Sequence, residues 1–207
     1  MRWTAAALLL VALFLDAHAE PLTEFWHWFE ANSERLASNP EGPETVEDMD
    51  YWLGRIHQGL SYQIRSAGRK NELILSADGE MRLFPIVDQL ARQAPRTKGW
   101  KITALRRKQR LLEPVTVGEA TIDPAQVFFD LYDDGARFGV VLYVPRPNDD
   151  HLDDYRIAAI RLMSQAVGER EIGNWIGFVD LDRHGVRDME FSRPFAEFER
   201  VFKSLRK

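Results

Sequence analysis

The sequence predicts an α+β fold with a mainly antiparallel sheet, an N-terminal pair of helices and a C-terminal helix. After residue 60 the apolar residues change from a helical period to strand-like alternation. The order hairpin, helix, strand then occurs twice, at an offset of roughly 65 residues. These two hairpin–helix–strand units favour helices packed on an antiparallel sheet over a parallel, doubly wound sheet.

The first half of the chain supplies the helical pair and the first repeat. Leu22, Phe25, Trp26 and Phe29 recur at helical spacing, and Thr45 with Asp48 resembles a capping box. Pro85 lies in the first turns of the next helix, where proline is tolerated. The predicted elements are helices over 22–37, 45–60 and 80–94 and strands over 61–66, 71–77 and 100–105.

The second half repeats this order and ends in a helix. Asp133-Asp134-Gly135 is typical of a hairpin turn, and Gly168 is typical of a helix cap. The predicted elements are strands over 126–132, 137–144 and 175–181, a short return strand over 186–191, and helices over 152–167 and 195–205.

The N-terminus is typical of a secretory signal peptide. Arg2 precedes an apolar run over 5–15, and Ala17 and Ala19 form the small-residue pattern that signal peptidase accepts. The run is shorter than the roughly 20 residues that a membrane span needs. We therefore expect cleavage after Ala19 and an exported protein, either periplasmic or secreted, with no transmembrane segment in the mature chain.

The remaining residues, 20–207, predict a single α+β domain. Two sub-units over 20–110 and 119–207 are compatible with the repeated order. The segment 106–118, which is rich in arginine and carries Pro114 and Gly118, is the predicted junction.

Composition excludes several classes of function. The chain has no cysteine, which excludes disulfides, thiol catalysis and thiolate metal sites. Its net charge of −5 argues against nucleic-acid binding as a main role. The histidines form no pair at metal-binding spacing, so we expect no metal site and no cofactor.

Several short motifs give the chain a resemblance to a family of bacterial proteins. They are Phe25-Trp26-His27-Trp28-Phe29, Glu72 to Gly79 (ELILSADG), Phe84-Pro85, Ala94-Pro95 and Gly99-Trp100. Looser matches follow at Val127-Phe128-Phe129-Asp130 and Val167-Gly168-Glu169, so the resemblance covers most of residues 20–207. It implies no activity.

Two surfaces are candidates for binding. Trp26 and Trp28 point about 200° apart on a helix, so both cannot face one core, and one of them suits a partner or oligomer contact. Arg106 and Arg107, with neighbouring lysines, form a basic patch that could bind an anionic surface or an acidic partner. Core packing and a solvated strand end are the simpler interpretations.

The acidic residues offer weaker candidates. Asp78 follows a strand and suits either a cap of the following helix or an Asx turn before it. Asp180 and Asp182 begin a calcium-like loop whose twelfth position is Phe191 instead of a carboxylate, which favours a simple turn. The acidic runs at 133–134 and 149–154 suit a turn and a helix N-terminus.

Two functional hypotheses follow. The first is a non-catalytic binding or protein-interaction module, because no motif gathers a nucleophile, a base and an orienting group. The alternative is a hydrolase-type enzyme whose acidic residues, with Asp78 and Arg106 as candidate members, come together in a concave pocket only after folding. The sequence leaves open whether the protein is an enzyme, and also its partner and oligomeric state.

Overall fold

The computed structural model describes residues 19–67, 70–145, 147–183 and 192–205. It confirms the α+β fold and a mainly antiparallel sheet arrangement. The chain divides into two compact units, of which the first holds the described residues up to Ala77 together with Leu83–Ala104. The second holds Asp78–Arg82 and the chain from Leu105 onward, so that the predicted junction 106–118 belongs to the second unit.

The first unit joins three helices to a three-stranded sheet in the order β1-β2-β3. The hairpin strands β1 and β2 are antiparallel, and β3 runs parallel to β2 after a helical crossover. The elements are α1 (Ala19–Ser38), α2 (Pro43–Ile56), β1 (Ser61–Ala67), β2 (Lys70–Ser76), α3 (Phe84–Arg92) and β3 (Trp100–Ala104).

The N-terminal helices form as the apolar spacing predicts, with a different cap on the second. Leu22, Phe25 and Phe29 on α1 are fully buried. α2 begins at Pro43 with Gly42 as its N-cap, and the Thr45 hydroxyl donates to the carbonyl of Asn39. The predicted capping box at Thr45 and Asp48 is therefore wrong: proline already fits the first helical position, which moves the helix start two residues earlier.

The second unit contains a four-stranded sheet in the order β8-β7-β6-β9 and a separate β4-β5 hairpin. The strands β6 and β7 are antiparallel, and β8 runs parallel to β7. The elements are β4 (Val115–Val117), β5 (Ala120–Ile122), β6 (Phe128–Asp133), β7 (Phe138–Val144), α4 (Leu152–Val167), α5 (Glu169–Trp175), β8 (Ile176–Arg183), β9 (Arg193–Pro194) and α6 (Phe198–Leu205).

Each unit thus contains an antiparallel hairpin, a helical crossover and a third strand parallel to the second. The helix α4 has the predicted bounds, and its buried residues Ala159, Leu162 and Met163 pack into the core of the second unit. The phenylalanines Phe129, Phe195 and Phe198 complete this core with ring contacts between 5.0 and 6.3 Å.

Several elements differ from the predictions. The predicted helices over 80–94 and 195–205 begin as 3-10 turns and become α-helical only at Phe84 and Phe198, and the helix predicted over 45–60 ends at Ile56. Neither α5, the β4-β5 hairpin nor the short strand β9 was predicted, because each is too short to show a period. The predicted return strand over 186–191 lies outside the described residues, as does the predicted signal peptide.

Among the described residues, no helix combines the length and the apolar character that crossing a membrane requires.

Candidate functional site

Asp78 directs the chain from β2 into the second unit. It adopts a left-handed backbone conformation with φ of 45°, and Gly79 follows with φ of 85°. Such angles are unfavourable for a residue with a side chain unless its surroundings hold it in place. The segment after β2 therefore turns sharply at Asp78, and its carboxylate points to arginines of the same unit.

The Asp78 carboxylate binds two guanidinium groups. Its Oδ1 accepts hydrogen bonds from Arg106 Nη1 at 2.5 Å and from Arg161 Nε at 3.0 Å, and its Oδ2 accepts from Arg161 Nη2 at 2.9 Å. The pair with Arg161 is bidentate, the geometry that best matches a planar guanidinium to a carboxylate. The predicted helix-capping role of Asp78 is wrong, because α3 begins at Phe84 with no side-chain cap.

Glu169, at the start of α5, holds the backbone around this pair. Its side chain is fully buried, and its two oxygens accept hydrogen bonds from the backbone N–H of Arg106 at 2.9 Å and of Gly79 at 3.2 Å. The Glu169 N–H in turn donates to the Arg106 carbonyl at 2.9 Å. The two segments that carry Asp78 and Arg106 are thereby fixed to α5.

Asp78, Arg106, Arg161 and Glu169 form a neutral charge cluster in which Arg106 and Glu169 are buried and Asp78 and Arg161 are partly buried. Arg106 is 9% exposed, and burial lowers its pKa, while the charge of Asp78 acts in the opposite direction. Arginine stays charged even so, since its ordinary pKa is far above neutral pH. Buried charges of this kind are maintained only when each is paired, so the cluster is a structural support for what lies beside it.

A cleft of about 480 Å³ in the second unit adjoins the cluster. The cleft is lined by the segment after β2, the turn before β7, the helices α4 and α5, and the start of β8. The lining residues are Asp78, Gly79, Glu80, Met81, Arg82, Arg137, Arg156, Ile160, Ile172, Ile176, Gly177, Phe178 and Val179.

The floor of the cleft is apolar and includes an exposed ring. Ile172 and Ile176 are buried, whereas Phe178 is 45% exposed. Phe178 pairs in register with Gly139 of β7, and a Cβ on Gly139 would lie 2.0 Å from the ring. The absence of a side chain at Gly139 therefore lets the Phe178 ring lie against the sheet backbone.

Three arginines line the cleft. Arg82 donates to Glu80 at 2.9 and 3.2 Å, and Arg156 donates to Asp153 at 2.9 Å. Arg137 has its Nη2 3.7 Å from the sulfur of Met81 and, within the described residues, forms no ion pair with a carboxylate. The lining thus carries three arginines against two carboxylates, Asp78 and Glu80, an excess of one positive charge on a chain whose net charge is −5.

The structure brings Asp78 and Arg106 together, as the hydrolase hypothesis requires, but it places Trp26 elsewhere. Trp26 is 3% exposed, and its indole N–H donates to the Leu90 carbonyl at 3.0 Å. It is a core residue of the first unit, which makes a partner-surface role for Trp26 wrong. Trp28 is half-buried and stacks on Trp52 with ring centroids 5.7 Å apart.

The predicted basic patch is not a continuous exposed surface. Arg106 is buried in the cluster, and Lys108 binds Glu199 at 2.5 Å. Lys101 binds Glu72 at 2.5 Å. Arg107 remains exposed. Including Arg106 in a surface patch was wrong, because its side chain turns inward to Asp78 at the strand end.

The remaining acidic candidates have structural partners or lie in a strand. Asp133 accepts the Gly135 N–H in the β6-β7 turn, and Asp154 accepts the Glu119 N–H. Asp180 and Asp182 lie within β8, and the rest of the calcium-like loop falls outside the described residues. In the part of the chain that the structure describes, no three histidine or acidic side chains gather as a metal site would need.

Sequence reasoning missed Arg161, Glu169 and the arginines of the cleft. Arg161 lies in a regular amphipathic helix, where an arginine normally faces solvent. The one available signal for Glu169 was its place directly after Gly168, which marks a chain reversal but does not predict burial.

No family model matches the chain, and no curated protein and no solved structure matches it either. The resemblance to a bacterial family thus stays a prediction from the sequence motifs.

Proposed function

We propose that the protein is an exported, non-catalytic binding module that holds an anionic partner in the cleft of its second unit. The observation that carries the proposal is the combination of Arg82, Arg137 and Arg156 over an apolar floor. Sites of this kind, mostly apolar with a few charged groups, are typical of ligand binding. Export rests on the signal-peptide pattern of residues 1–19.

The cluster beside the cleft supports binding over catalysis. Both oxygens of Asp78 accept hydrogen bonds from arginines, and Glu169 is fully buried. A general base needs a lone pair that reaches the substrate. The described lining of the cleft contains no serine, threonine, histidine, lysine or tyrosine, and both oxygens of its other carboxylate, Glu80, accept hydrogen bonds from Arg82.

The hydrolase hypothesis remains the alternative, because Asp78 lines the cleft and Arg106 binds it at 2.5 Å. It predicts turnover that Asp78→Asn abolishes. The binding proposal predicts no turnover on ester, phosphoester or peptide substrates, and measurable turnover by the purified, monomeric protein would contradict it.

Fluorescence anisotropy with labelled poly-L-glutamate tests the proposal on the full chain. We expect wild type to bind this probe, and Arg137→Gln and Arg156→Gln each to weaken binding by about five- to tenfold, which corresponds to roughly 1–1.4 kcal/mol. Arg200→Gln is the matched control, because Arg200 is an exposed arginine of α6 that binds Glu197. A loss in Arg200→Gln equal to that in the cleft variants would contradict the assignment of the cleft.

A further inference from the structure

The cleft runs along an edge strand. β8 is the first strand of its sheet, and within the described residues it pairs with β7 alone. An edge strand presents backbone N–H and C=O groups at alternate residues, which makes it a template for another extended chain. Four consecutive residues of this strand, Ile176–Val179, line the cleft, and Gly177 and Phe178 are exposed. Gly177 forms a β-bulge, because Phe138 pairs with Ile176 and Gly139 with Phe178, so the regular alternation of this edge begins at Phe178.

The other lining residues of the cleft supply charge and apolar surface. Arg137 lies against β8, since a Cβ on Gly177 would be 3.3 Å from the Arg137 Cβ. Arg82 and Met81 come from the segment after β2, and Arg156 comes from α4. In an extended peptide, successive side chains point to opposite faces. Apolar side chains of such a peptide would contact Phe178 and the isoleucines, while carboxylates at other positions would meet the arginines.

We infer that the cleft binds an extended acidic peptide segment, which adds as a strand to the edge of β8. This inference rests on the proposed function and names its partner class. Backbone hydrogen bonds to β8 provide affinity, and the arginines with the apolar floor select sequences that alternate acidic and apolar residues.

The charge distribution argues for an acidic peptide as the occupant. The chain as a whole carries −5, so an acidic segment is repelled by most of the surface and attracted only where arginines outnumber carboxylates. Within the described part of the chain, Arg137 forms no close ion pair, but the hydrogen bonds from Arg82 and, beside them, the charge of Arg137 lower the pKa of Glu80. A carboxylate of the peptide would give the Arg137 guanidinium a directly bound charged partner.

A backbone-methylation scan tests the added strand. The probe is a fluorescein-labelled pool of short peptides in which glutamate alternates with an apolar residue, and the best binder to the full chain is resynthesised with one N-methyl group at each position in turn. Because only alternate N–H groups of an added strand pair with the edge, we expect affinity to fall at least tenfold at every second position and little between them.

Charge is tested with the same peptide. Replacing its glutamates by lysine should abolish binding, and Arg137→Gln in the protein should weaken it several-fold, whereas Arg200→Gln should not.

N-methylation that has equal effects at all positions, with binding still dependent on Arg137, would overturn the added strand and leave the binding proposal intact. If no peptide of the pool binds while poly-L-glutamate does, the inference is likewise overturned. Failure of both probes overturns the inference and the proposed function together.

Discussion

A buried carboxylate in each unit shows how single residues support this fold. Glu169 organises the second unit, whereas Glu72 lies in the middle of β2 with 1% of its surface exposed. Glu72 accepts hydrogen bonds from Lys101 at 2.5 Å, from Thr103 at 2.5 Å and from Arg65 at 2.9 Å. These donors come from the strands on both sides, so the carboxylate links all three strands of the first sheet.

The buried carboxylate of Glu72 should make the free energy of unfolding depend on pH in the acid range. Burial raises the pKa of Glu72, but the hydrogen bonds from Lys101, Thr103 and Arg65 outweigh this and lower it from 4.5 to about 2. A carboxyl whose folded pKa is lowered stabilises the fold fully above its unfolded value, so this stabilisation is present above about pH 4.5 and is lost as the pH falls towards 2.

We therefore expect Glu72→Gln to lower the free energy of unfolding at pH 7 by about 1–3 kcal/mol, the cost of leaving buried donors unpaired. The difference from wild type should shrink as the pH falls from 4.5 to 2. Urea denaturation at several pH values measures it, with the exposed Glu47→Gln on α2 as control. A difference that stays constant with pH would contradict the role assigned to Glu72.

At the scale of elements, the junction of α4 and α5 positions the charge cluster. Gly168 ends α4 by donating its N–H to the Ser164 carbonyl at 2.8 Å, and its own carbonyl accepts the Ile172 N–H of α5 at 3.2 Å. Its φ of 96° and ψ of 144° lie in a region that almost only glycine adopts. This sharp reversal places Glu169 against Arg106.

Adding a side chain at Gly168 should lower the free energy of unfolding. Gly168→Ala is expected to destabilise the protein by about 1–3 kcal/mol, because alanine is strained at this backbone conformation. The matched control is Gly54→Ala in α2, where a new Cβ meets no atom within 4 Å. Alanine there should stabilise by roughly 0.5–1 kcal/mol, because glycine weakens a helix interior.

Thermal and urea unfolding of both variants provide the comparison. Opposite signs for the two substitutions are the expected result. Equal destabilisation by both would mean that the backbone conformation at Gly168 does not control the junction.

At the scale of the whole molecule, two units share one strand order despite different sequences. The hairpin strands β1 and β2, like β6 and β7, precede a helix and a parallel third strand. The second unit adds the β4-β5 hairpin, α5 and α6, and it alone contains the cleft on which the proposed function rests. The first unit packs its aromatic helix inward, with Phe25 and Phe29 fully buried.

The prediction at this scale concerns the mature chain. Residues 1–19 have the pattern of a cleavable signal peptide, so the protein isolated from its host should begin at Glu20. Intact-mass spectrometry and N-terminal sequencing measure this directly. Ala19→Arg is the control, because it removes the small residue that signal peptidase requires and should leave the precursor uncut. Wild type that keeps Met1 through to its final location would contradict export by cleavage.

Local sequence patterns were enough to predict most of the secondary structure and the fold class. Hydrophobic periodicity reports local burial, so α1, α4 and the two hairpins were predicted with bounds close to those observed. The segments that failed, α5 and the β4-β5 hairpin, are too short to show a period. Asp78 and Arg106 were identified as candidate residues that fold into one site, but the sequence did not indicate that Arg161 and Glu169 complete this cluster.

The candidate site, by contrast, depends on contacts between residues that are far apart in the chain. Asp78 lies 28 residues from Arg106 and 83 from Arg161, and Arg106 lies 63 residues from Glu169. No local pattern connects positions so far apart, because their contact depends on the left-handed turn at Asp78 and the reversal at Gly168 acting together. The burial of Trp26 also depends on a long-range contact. Its indole N–H donates a hydrogen bond to the carbonyl of Leu90 on α3, which satisfies the polar group of this core residue.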